Sequence, residues 1–227
     1  MRIYKSPLLF SSVSDVELAL VLGAWVLFVA VVLTRWTYGP LSRRFGHMRA
    51  VYFNRKIIHV LAGGVVAVLV PFFSSWVVPT AAALAIALFL YIPHKTGRLL
   101  WWFQDPDNMY EVSFAVMWAL VVALSWGVLG DWRLGVVPAL FMAVGDSATG
   151  VVRNLLFKRR TKHWAGNIAM AAVSVPIGWC YLGVAGALAG LLASAVERFE
   201  FPPIDDNVIV PATSFLFLLL ARTAFPL

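Results

Sequence analysis

Three short polar blocks carry side chains whose types and spacing suit phosphate and metal chemistry. The first is Asn54-Arg55-Lys56-Ile57-Ile58-His59. Arg55 and His59 are four residues apart and share a helical face, with Lys56 about a quarter-turn round. Arg offers phosphate oxygens a bidentate fork and Lys a point charge. An Arg-Lys pair is also an ordinary basic stop at a membrane face. His59 does not fit that plain role, because it lies a turn inside apolar sequence where a polar group needs a reason.

The second block is Gly145-Asp146-Ser147-Ala148-Thr149-Gly150, with Asp146 in the middle of an apolar run. A carboxylate at such depth is expensive and usually faces a cavity. Its small neighbours allow a ligand or another backbone close approach, although ordinary helix packing uses small residues too. Arg153 follows two turns later on the same face, then a basic loop from Lys158-Arg159-Arg160-Thr161-Lys162 to Gly166 and Asn167. The third block is Glu197 followed by Asp205-Asp206-Asn207. Adjacent carboxylates repel unless solvated, hydrogen-bonded or sharing a cation. Asp206 or Asn207 can cap the helix that follows, with Pro211 near its first turn. The whole set suits Mg²⁺, which favours one or two carboxylates plus substrate phosphates.

What must position these blocks is a membrane bundle. Of 227 residues, 61% are hydrophobic and 13% charged, with mean hydropathy +0.84. Soluble domains run at about 45–50% apolar and about 25% charged. That excludes a soluble enzyme, a disordered tail and a disulfide-rich secreted scaffold; the single cysteine, Cys180, lies within an apolar run. Apolar runs place spans at 15–34, 57–73, 76–93, 112–129, 132–152, 168–183, 184–196 and 208–222. The first reads as a retained span rather than a cleaved signal. The last three are short, so they tilt, extend further or are half-helices. The expectation is an all-α polytopic bundle of about eight spans, seven being possible, in a single integral-membrane domain over 1–227. Loops 35–56 and 94–111 are candidates to close over a site, and Trp101-Trp102-Phe103 is expected at the interface as an aromatic anchor or beside a lipid path.

Orientation follows from charge. With eight spans and 35–56 inside, 14 of the 18 Lys and Arg residues are internal, leaving Arg2, Lys5, Arg133 and Arg222 outside. All three polar blocks then emerge on the cytoplasmic side. The net charge of +7 reports this topology rather than a nucleic-acid surface. Cations, an intramembrane Asp and an acidic cluster on one face suit a polyphosphate with Mg²⁺, and one Asp can take the proton of an attacking alcohol. Soluble nucleotide-binding signatures are absent from the sequence.

In this order the blocks resemble the membrane-embedded polyprenol kinases: dolichol kinase, phytol kinase and the CTP-dependent diacylglycerol kinase. The family's Arg-Lys-x-x-His is similar to Arg55, Lys56 and His59, its Gly-Asp segment to Gly145 and Asp146, and its late Asp-Asp-Asn-x-x-x-Pro to Asp205, Asp206, Asn207 and Pro211. A preceding Glu is similar to Glu197, so the resemblance covers about 54–211. It implies phosphoryl transfer, commonly from CTP with a divalent cation, to the hydroxyl of a long-chain lipid alcohol. The chain departs from the pattern at Arg153, where the family usually has Gly, and at Ala165-Gly166-Asn167, where it has Glu-Gly-Ser or Glu-Gly-Thr.

The expected roles are therefore Asp146 as metal-binding or base carboxylate, with Asp205, Asp206 and Glu197 toward the metal. Arg55, Lys56, Arg153, Lys162, Gly166, Asn167 and Asn207 face the nucleotide and its phosphates, while His59 and Asn207 orient the site and Lys56 and His59 act beside Asp146. Rival readings are a CTP-using cytidylyltransferase making a CDP-lipid, and a transporter or lipid-binding protein with Asp146 on an ion path. The paired broken-helix halves of many transporters are not visible in the sequence.

Overall fold

The computed structural model describes residues 13–157, 161–199 and 204–224. Lys158, Arg159 and Arg160 of the basic loop, and Arg2 and Lys5, lie outside these. The described residues form seven helices: α1 (Asp15–Phe45), α2 (His47–Phe72), α3 (Val77–Thr96), α4 (Tyr110–Val128), α5 (Arg133–Phe157), α6 (Trp164–Val196) and α7 (Asp206–Ala221). The first six are long and apolar enough to cross a membrane, and α7 is a shorter apolar helix.

Local chemistry sets the helix ends. Ser14 caps α1 in a reciprocal box: the Glu17 N–H donates to Ser14 Oγ at 3.2 Å, and the Ser14 N–H donates to Glu17 Oε2 at 2.8 Å. Between α1 and α2 the chain turns at one residue, Gly46, whose φ of 82° is costly for any residue with a Cβ. The expected loop 35–56 is thus helical apart from that glycine. Apolar length marks where a membrane span ends, but polar residues continue the same hydrogen-bonded backbone beyond it.

α6 is two helices in sequence. Leu182 and Gly183 leave helical geometry, Gly183 with φ 56°. A Cβ on Gly190 would meet Ser174 backbone at 2.7 Å, although a straight helix would separate these residues by about 24 Å. Gly178 and Gly186 abut backbone to backbone in the same way. The arms, 164–181 and 184–196, therefore fold back on each other as a hairpin held by small residues. The break falls where the sequence separates 168–183 from 184–196.

α5 is the central helix. Leu134, Val136, Val137 and Phe141 are fully buried, against Val121 and Val122 of α4, Met170 and Ala189 of α6, and Val210 and Leu218 of α7. Large apolar side chains such as Leu20, Leu88, Val128 and Leu220 face outward, as a bilayer allows. Reversal at each turn gathers the connections 45–47, 96–110, 157–164 and 196–206 at one end. The aromatic triplet divides: Trp101 is exposed and Phe103 is buried beside an apolar cavity, whereas Trp102 is buried with its Nε1 donating to Ala30 O at 3.0 Å and Thr34 Oγ1 at 3.1 Å. An indole that finds buried acceptors gains more inside than at a membrane surface.

Candidate active site

At the end where those connections gather, α2 and α5 meet through charge. Lys56 Nζ donates to Asp146 Oδ2, and both residues are buried. Each lies beside a π-helical turn, His59–Gly64 in α2 and Phe141–Gly145 in α5, and such turns re-aim side chains along a helix. Gly150 makes the approach possible, since a Cβ there would lie 1.9 Å from the Tyr52 hydroxyl and 2.8 Å from Lys56 Cε.

α6 supplies the second half. Arg153 of α5 donates through Nε to His163 O at 2.9 Å and through its terminal nitrogens to Glu197 Oε1 at 2.7 Å and Asn167 Oδ1 at 3.0 Å. Gly166 is the platform for that guanidinium; its own carbonyl accepts from Thr149 Oγ1 at 3.1 Å. Lys162 Nζ donates to Glu197 O at 2.9 Å and Oε1 at 3.2 Å, and lies 3.7 Å from Asp206 Oδ2. Asn167 Nδ2 reaches Ser194 O and, at 3.4 Å, Glu197 Oε2.

Carboxylate oxygens of Asp146, Glu197 and Asp206 all lie within 4.8 Å of one another. Around Mg²⁺, at its usual bond length of about 2.1 Å, cis oxygens stand about 3.0 Å apart and trans oxygens about 4.2 Å, so three hard oxygen donors spread over this distance must draw together to share such an ion. Asp205 stands apart from its neighbour. It is the N-cap of α7, accepting from the Val208 N–H at 3.2 Å and from Ser113 Oγ at 2.5 Å. The expectation that both aspartates serve one cation thus gives way to a division of labour, because consecutive residues at a helix start point in different directions. Burial raises the Asp205 carboxyl above the ordinary aspartate range, against the lowering effect of the Ser113 hydrogen bond.

The other expected residues fall around the same cleft. Arg55 donates to Asn108 Oδ1 at 2.8 Å and lies 5.3 Å over the Tyr110 ring. Asn207 Nδ2 donates to Tyr110 O at 3.1 Å, and its buried Oδ1 has no partner among the described residues. His59 stacks on Phe114 at 4.0 Å, with both ring nitrogens buried and unpartnered among the described residues. The cleft encloses about 280 Å³. Its lining carries Arg49, Arg55, Lys56, Arg153 and Lys162 against Asp105, Asp146, Glu197 and Asp206, so cations exceed carboxylates by one.

Sequence reasoning missed Arg49, Tyr52, Asp105, Asn108 and Tyr110 in that lining. Tyr52 shares a helical face with Lys56 and His59 and was findable by that spacing. Asp105 and Asn108 sit in a polar run that follows the buried Trp102 and Phe103, and neither local spacing nor apolar pattern points it at the cleft. No protein-family model, curated protein or solved structure matches the chain.

Proposed function

We propose that the chain is an integral-membrane lipid kinase, transferring the terminal phosphoryl group of a nucleoside triphosphate, CTP in the first instance, to the hydroxyl of a long-chain isoprenoid alcohol. The observation carrying this reading is the convergence of Lys56, Arg153 and Lys162 with Asp146, Glu197 and Asp206 in one cleft of a bundle whose outer surface is apolar. A divalent cation at those three carboxylates would neutralise phosphate charge as a Lewis acid.

The protein's own groups supply the rest. Lys56, Arg153 and Lys162 each face a carboxylate now, and the same cations can transfer to phosphate oxygens when a polyphosphate enters, so charge stays balanced in a poorly solvated place. Arg55, already held over Tyr110 by Asn108, adds a fork for a terminal phosphate. Released from Lys56, Asp146 takes the proton of the alcohol as its oxygen bonds to phosphorus and the bond to the departing nucleoside diphosphate breaks. The excess of Lys and Arg at the connections of this end supports a cytoplasmic placement of the cleft.

The test uses purified protein in detergent with Mg²⁺, γ-labelled CTP or ATP, and a panel of isoprenoid alcohols and diacylglycerol, with Asp146→Asn as control. Label should enter a lipid monophosphate and be lost in the variant. Pyrophosphate release with a CDP-lipid would replace the reading by nucleotidyl transfer. Folded protein that makes neither product would remove an enzymatic role on these substrates.

A further inference from the structure

A second cavity begins where the polar cleft ends. It encloses about 110 Å³ and runs between α1, α2, α3 and α4. Its walls are Leu22, Val26, Ala62, Val66, Ile86 and Trp118 with other apolar groups. Along α2 it extends from Ile58 to Val66, about 12 Å of helix, and reaches Phe73 just past the helix end. Two polar residues line it, His59 and Glu111, and both belong to its cleft end: His59 lines both cavities, and Glu111 follows Tyr110 of the cleft by one residue.

Both residues have hydrogen-bonding capacity left over. Glu111 Oε1 bonds His94 Nε2 at 2.7 Å and accepts from Gln104 Nε2 at 2.8 Å, which fixes the carboxylate, while the buried Oε2 has no partner among the described residues. The two His59 nitrogens are in the same condition. An unfilled donor and acceptor inside apolar walls cost free energy unless a ligand fills them. A hydroxyl is the smallest group that both donates and accepts.

We infer that this cavity holds the hydrocarbon chain of the acceptor alcohol, with the hydroxyl held by His59 and Glu111 Oε2 until nucleotide binds, at the end that His59 shares with the polar cleft, from where it passes to Asp146 for transfer. The assignment of the ligand as acceptor rests on the lipid-kinase reading. A rival apolar groove lies between α2 and α5, lined by Phe53, Ile57, Val60, Val144, Ala148 and Leu155, and it too touches Lys56. Its polar groups, Lys56 and Ser147, each have a partner, Lys56 in Asp146 and Ser147 Oγ in Ala143 O at 2.6 Å. It holds no buried polar atom left without a partner among the described residues, unlike the cavity at His59 and Glu111.

Gly23 gives a clean way to fill the first cavity. It lines the wall from α1, and a Cβ there would meet nothing within 4 Å. The experiment is photolabelling of the full chain, without nucleotide, by a long isoprenoid alcohol carrying a diazirine near its tail, beside the matched methyl ether. Label should fall on α1 and α3 residues of the cavity, fall several-fold in Gly23→Phe, persist in Ala148→Phe, and be weak for the ether, which cannot donate. Label on the α2–α5 groove, or label indifferent to Gly23→Phe, would overturn the inference, as would equal labelling by alcohol and ether. Because no turnover is needed, cavity labelling with no product from any nucleotide sinks the kinase reading and leaves the cavity assignment standing. Where turnover is measured, His59→Ala should raise KM for the alcohol about tenfold, the worth of roughly one hydrogen bond. KM for the nucleotide should hold, and His59→Gln should restore part of the loss.

Discussion

Lys56 and Asp146 stand 90 residues apart in the chain and meet in a buried hydrogen bond between α2 and α5. Removing one member leaves the other a buried charge without its counter-ion, at a cost of about 3–5 kcal/mol. Lys56→Met should therefore destabilise strongly, and Asp146→Asn less, since an amide oxygen still accepts. Both should lower turnover by about 10²–10³-fold or more. The double variant Lys56→Met with Asp146→Leu should recover stability without activity. Thermal unfolding in detergent beside turnover decides this; a double variant no more stable than Lys56→Met would show that the two charges are not coupled.

Glu197 serves two kinds of partner. It pairs with Arg153 and Lys162, and its oxygen belongs to the carboxylate triplet. Glu197→Gln keeps the shape and removes the charge. The Mg²⁺ concentration for half-maximal turnover should rise about tenfold or more, equivalent to about 1.4 kcal/mol. An unchanged Mg²⁺ dependence would leave Glu197 as the Arg153 partner alone.

Gly166 and Gly23 should respond in opposite ways to the same substitution. A Cβ on Gly166 would meet Arg153 Nε at 2.2 Å and Cζ at 2.7 Å, and that guanidinium is pinned by His163, Glu197 and Asn167. Gly166→Ala should cost about 1–3 kcal/mol and reduce turnover. Gly23→Ala enters open space and should stay within about 0.5 kcal/mol of the parent. Unfolding midpoints of the two proteins provide the comparison, and equal effects would contradict the tight packing at Arg153.

Asp205 gives a pH dependence. Its carboxyl is raised by burial, so the folded state holds the proton more tightly than the unfolded chain does. Its contribution is then present below the unfolded value of about 3.9 and declines as pH rises through the interval up to the raised folded value, staying flat above it. Asp205→Asn does not titrate and keeps an oxygen for the Val208 N–H. The difference in unfolding midpoint between parent and variant should shift in the variant's favour as pH rises from about 4 through that interval. A difference that does not change with pH would mean that the carboxyl is not raised.

The helical bundle is legible because bilayer spans need long apolar runs, and the hairpin break at Leu182–Gly183 falls at a boundary visible in the sequence. The 35–56 segment misleads because hydropathy reports burial in lipid, whereas α1 and α2 continue as helices past it. Asp146 stands out as a carboxylate in apolar surroundings, but nothing local says that its counter-ion is Lys56 rather than Arg153. The separation of Asp205 from Asp206 turns on which residue begins α7, and sequence leaves a helix start uncertain by a residue or two. Glu111 stays hidden because its meaning lies in the oxygen that His94 and Gln104 do not use.

The second arm of α6, residues 184–196, rises about 20 Å, and α7 about 24 Å, while a bilayer's hydrocarbon core is roughly 30 Å thick. Lipids beside these elements must thin to meet them, at a fraction of a kcal/mol per ångström. Glu197 ends the one and Asp206 begins the other, so two members of the carboxylate triplet hang from the shortest pieces of the bundle, while Asp146 sits on its most firmly packed helix. Hydrophobic mismatch at these two elements would therefore act on the spacing of the triplet, longer lipid tails straining it more than shorter ones.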